Sequence, residues 1–63
     1  MKISLTIDAA NAAFDGEAGY EVTCILEVLS MNIKQGYVDL EVGSRYPVRD
    51  SNGNRVGFFT VKS

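Results

Sequence analysis

The chain has 63 residues, 46% of them hydrophobic, and a formal net charge of −2; that is the composition of one small folded domain and excludes a disordered chain. A domain this short buries only ~60% of its unfolded surface. With a single cysteine, Cys24, and no histidine, neither a disulfide nor a mononuclear zinc site is available to support it. Oligomerisation is the remaining common device.

No apolar run approaches the ~20 residues of a membrane span, and the first residues alternate instead of forming the continuous apolar stretch of a signal peptide. With one unpaired thiol, this predicts a cytoplasmic protein without membrane contact. The charge is unevenly placed. Residues 1–43 carry Asp8, Asp15, Glu17, Glu21, Glu27, Asp39 and Glu41 against Lys2 and Lys34, whereas residues 44–63 carry Arg45, Arg49, Arg55 and Lys62 against Asp50. An acidic body is followed by a mildly basic segment.

Ile3, Leu5 and Ile7 alternate with Lys2, Ser4, Thr6 and Asp8, the period-two pattern of a half-buried strand. The alanine-rich connection from Asp8 to Gly16 has room for a short helical turn, with Phe14 as its anchor to the core. Asp15 or Gly16 is placed to cap the helix that follows, and Glu17 and Glu21 suit the positive end of its dipole.

The segment from about Glu17 to Gln35 reads as a helix, ended by Gly36 in the left-handed stop position. It carries two apolar stripes. Ala18, Val22, Ile25, Leu26, Leu29 and Ile33 share one arc, the usual core face. Tyr20, Cys24, Val28 and Met31, spaced i, i+4, i+8 and i+11, lie on the opposite side. One helix laid on one small sheet buries the first stripe and leaves the second without cover. The second stripe therefore predicts a protein interface: a homodimer through Tyr20, Cys24, Val28 and Met31, or a different protein on the same face. Self-capping by a loop is the plain alternative.

Tyr37 to Val42 alternates again, predicting a strand with Val38, Leu40 and Val42 inward. Arg45–Arg49 extends as a further strand in which Pro47 belongs on an edge or at a bulge. Asp50-Ser51-Asn52-Gly53-Asn54 is a strong hairpin turn, and Arg55–Lys62 is the last strand. For that strand, Gly57, Phe59 and Val61 are assigned to the helix side in preference to Val56, Phe58 and Thr60. The order is β-α-β-β, with the third strand split by the loop around Pro47, an α+β fold with one helix packed on one face of a small, mainly antiparallel sheet, in a single domain spanning 1–63.

The chemistry-bearing residues are sparse. The Asp50–Asn54 run begins like a calcium loop but has Arg55 where the loop needs glycine and Val61 where it needs glutamate. Cys24 has no histidine to act as its base and reads as a small hydrophobe. The carboxylate pairs Asp39/Glu41 and Glu17/Glu21 read as solvated faces. No catalytic residue, cofactor site or metal site is assigned, and the expectation is a protein that is not an enzyme. Arg45, Arg49 and Arg55, with Tyr46 near them, form a small basic cluster, the footprint of an alternative function in nucleic-acid binding.

Three stretches carry a resemblance: Ile3-Ser4-Leu5-Thr6-Ile7-Asp8, then Asn11-Ala12-Ala13-Phe14, then Asp50-x-Asn52-Gly53-Asn54-x-Val56-Gly57 after a helix ending in Gly36. In this order they resemble a group of small bacteriophage and prophage accessory proteins. The resemblance covers nearly the whole chain, and its motifs specify a fold more than a function. It implies a protein that acts by binding and blocking a host or bacterial defence protein, as anti-CRISPR and other anti-defence proteins do. The outer helix face in that group is usually charged, and the apolar face here departs from it.

Overall fold

The computed structural model describes residues Met1–Ser63. Strand β1 (Lys2–Ile7) leads through a short 3-10 turn (Ala12–Phe14) to helix α1 (Ala18–Lys34); β2 (Arg45–Arg49) and β3 (Arg55–Lys62) form a C-terminal hairpin. The three strands make one antiparallel sheet in the order β1-β3-β2. The α+β architecture is the one the sequence predicts.

The long, alternating β3 takes the centre of the sheet because both neighbours need a partner and neither β1 nor β2 is paired on its other side. Ile3, Leu5 and Ile7 stand opposite Val61, Phe59 and Gly57, and Tyr46 and Val48 stand opposite Phe59 and Gly57. These residues share the face turned to α1. Phe59 and Val61 are buried there, as assigned from the sequence. The core is completed by Phe14, Ile25, Val38, Val48 and Val56. Phe14 anchors the connection as expected, and Asn11 caps its turn by accepting the Ala13 N–H at 2.9 Å.

Val56 reaches the core despite its parity. Between Val48 and Arg49 the register with β3 shifts, so that Arg49 faces Arg55 and Val56 has no partner in β2. A bulge of this kind bends the strand and re-aims side chains. Val56 is left in the core, and Arg55 comes to the outer face of the sheet beside Phe58.

Three local expectations are corrected. Tyr37–Val42 is not a strand. The Asn32 carbonyl accepts both the Tyr37 and Val38 N–H groups, at 2.9 and 3.2 Å, and Asp39 N–H donates to the Tyr46 hydroxyl at 3.0 Å. The chain here is folded against the end of α1 and bracketed by Gly36 and Gly43, both at positive φ. Only Val38 is buried, and Leu40 and Val42 are exposed. Neither Asp15 nor Gly16 caps α1; Glu17 holds that position without a side-chain bond. Leu26, placed on the core face by its spacing, is exposed, and Ala18 is exposed with it.

Candidate functional site

The exposure of Leu26 follows from the way α1 is seated. Glu21, in its first turn, is buried, and its Oε1 accepts the Ser51 N–H at 2.7 Å. This bond turns the helix so that Glu21, Ile25 and Leu29 face the hairpin while Leu26 rolls out. The turn it grips is itself built around Asp50. One Asp50 oxygen accepts the N–H groups of Asn52 and Asn54, each at 2.9 Å, and the other accepts the Asn11 side-chain amide at 2.7 Å. Burial opposes ionisation of this carboxyl, but the bonds from Asn54, Asn11 and Asn52 outweigh it and hold Asp50 below the usual carboxylate range. Neither role is visible in the sequence, where Glu21 reads as a dipole partner and Asp50 as a turn residue.

Seating α1 in this way leaves its outer stripe open. Tyr20, Val28 and Met31 are 67%, 60% and 57% exposed, while Cys24 between them is half-buried. The stripe borders an open groove of about 480 Å³ between α1 and the hairpin, lined by Cys24, Val28 and Leu29 on one side and by Pro47 and Val48 on the other. Tyr20 is held above the ordinary phenol value by hydrogen bonding to and charge on the Cys24 sulfur, with burial and the Glu27 and Glu21 carboxylates acting the same way. Its hydroxyl stays neutral near pH 7.

The opposite face of the sheet has a different chemistry. The register places Lys2, Ser4, Thr6, Thr60 and Lys62 there with Phe58. The Arg45 guanidinium lies 3.7 Å from the centre of the Phe58 ring and that of Arg55 lies 5.1 Å from it. Arg49 instead donates to the Gly53 carbonyl at 3.0 Å. Of the arginines singled out in the sequence, two are therefore gathered on one aromatic ring and the third braces the turn. The aromatic is Phe58, not Tyr46, which lies on the helix side. The hairpin register decides this, and the bulge brings Arg55 into place.

No helix is long and apolar enough to cross a membrane. No family model, curated protein or solved structure matches the chain.

Proposed function

We propose that this chain is a non-enzymatic accessory protein of the phage type that works by binding another protein through the outer face of α1. Tyr20, Cys24, Val28 and Met31 are the contact residues, and the partner is a host or bacterial defence protein whose activity the contact blocks. One observation carries the reading. Three large apolar side chains, Tyr20, Val28 and Met31, are more than half exposed on one side of α1, and Val28 among them also lines the groove beside the hairpin. Contiguous apolar surface of this kind marks an interaction site, and tyrosine and methionine are enriched in interface centres. The phage resemblance supports the kind of partner.

The test is selective capture. Wild-type protein immobilised as bait retains a protein from a bacterial lysate that the Tyr20→Lys, Met31→Lys double variant does not. Retention of the same proteins by both baits overturns the reading.

A second reading rests on the basic face. Arg45 and Arg55 around Phe58, flanked by Lys2 and Lys62, form a cationic surface with an aromatic at its centre, the composition of a single-strand nucleic-acid platform. Titration of a single-stranded oligonucleotide at low and high salt separates the readings. Binding that weakens steeply with salt and is lost in Arg45→Ala, Arg55→Ala supports the second; no binding at low salt ends it.

A further inference from the structure

The edge of the sheet at β1 is open and the edge at β2 is not. Asp8 N–H donates to the Val56 carbonyl at 2.7 Å. Backbone groups in an antiparallel pair alternate in direction, so those of Lys2, Ser4 and Thr6 also turn toward β3. The N–H and C=O groups of Ile3, Leu5 and Ile7 point outward, and none of them takes part in a turn or loop hydrogen bond. The same alternation on the other side, fixed by the bonds of Val61 to Gly43 and Ser44, turns Pro47 outward on β2. Proline has no N–H, and arginines flank it, the usual means of blunting an edge. β1 has no proline, and its one charged residue, Lys2, stands at its end.

β1 is also short of cover on its apolar face. Ile3 and Leu5 are on the side of the sheet that carries α1, yet they remain 47% and 36% exposed, because the helix packs mainly against the 3-10 turn and β2.

We propose that β1 is a self-association edge, at which a second copy of this chain pairs antiparallel about a two-fold axis through Leu5. This register sets Leu5 against Leu5 of the other copy and Ile3 against Ile7, so every outward backbone group of β1 gains a partner. The exposed Ile3 and Leu5 side chains are covered by their counterparts. Charge selects this register over its neighbours. It alone brings Lys2 of each copy opposite Asp8 of the other, at both ends of the pairing. Lys2 otherwise faces Lys62 across its own sheet, a like-charge pair that an acidic neighbour relieves. The product is a six-stranded sheet with β1 strands at its centre, and the outer faces of both helices stay free for another protein.

The test is the dissociation constant by sedimentation equilibrium, with circular dichroism to establish folding. The wild type is a dimer, and Leu5→Lys, which places two charges at the axis, is a folded monomer. Lys2→Glu weakens the dimer about tenfold by setting Glu against Asp8, and the swap Lys2→Glu, Asp8→Lys restores it. Tyr20→Lys, Met31→Lys leaves it dimeric. The proposal is overturned by a monomeric wild type, by failure of the swap to restore what Lys2→Glu removes, or by dissociation of the helix-face variant. The last result would move self-association to the helix without touching the question of what else the helix binds.

Discussion

The Glu21 carboxylate and the Ser51 amide, 2.7 Å apart, join the first turn of α1 to the hairpin turn and so decide which side of the helix is left open. A buried hydrogen bond to a charged group contributes about 1.5–3 kcal/mol. Glu21→Ala is expected to lower stability by about that amount in urea or thermal unfolding. Glu21→Gln keeps an acceptor oxygen at the same place and is expected to lose less than half as much. Equal losses in the two variants would show that the carboxylate's charge, and not the bond it accepts, seats the helix.

Asp50 is expected to contribute to the loss of stability in acid. Its carboxyl is depressed in the folded chain by the bonds from Asn54, Asn11 and Asn52, against the cost of burial. The unfolded value is ~3.9. The stability it contributes is therefore present above that value and is lost as pH falls from there through the lower folded value. Urea midpoints between pH 5 and pH 2 are expected to fall for the wild type and to fall less for Asp50→Asn, which has no proton to take up. The variant is also less stable at neutral pH, since its amide nitrogen cannot accept from Asn11.

Two glycines are expected to respond in opposite directions to alanine. A Cβ on Gly57 would overlap the Thr6 carbonyl oxygen and lie 2.7 Å from the Thr6 carbonyl carbon. These are backbone atoms of the paired strand, so β1 must separate from β3. Gly57→Ala is expected to abolish cooperative unfolding or to leave the protein insoluble. Gly19 lies in the first turn of α1 with nothing near its missing Cβ, and Gly19→Ala is expected to stabilise by up to about 0.5 kcal/mol through helix propensity.

Much of the fold could be read from local pattern. Period-two alternation gives β1 and β3, the positive-φ position of Gly36 gives the end of α1, and Asn52-Gly53 gives the hairpin. Pro47 is on an edge strand as its missing N–H requires. Tyr37–Val42 misleads because alternation reports only where apolar side chains fall, and this segment has no neighbouring strand to pair with. The exposed stripe is legible because a helix has one core side. The groove beside it is not, because it depends on Glu21 reaching a residue thirty positions away. The Arg45–Phe58–Arg55 cluster depends in the same way on a register and a bulge that no short window contains.

The helix face is the central claim. Tyr20 and Met31 are largely exposed, so Tyr20→Lys, Met31→Lys is expected to change stability by no more than about 0.5 kcal/mol per site. The direct measurement is calorimetric titration of a purified protein captured from bacterial lysate against the wild type and this variant, after circular dichroism has shown both to be folded. The account predicts binding to the wild type and affinity about a hundredfold weaker for the variant, the effect of losing two central interface residues. Equal affinity for the two would contradict it and would place the contact elsewhere on the molecule.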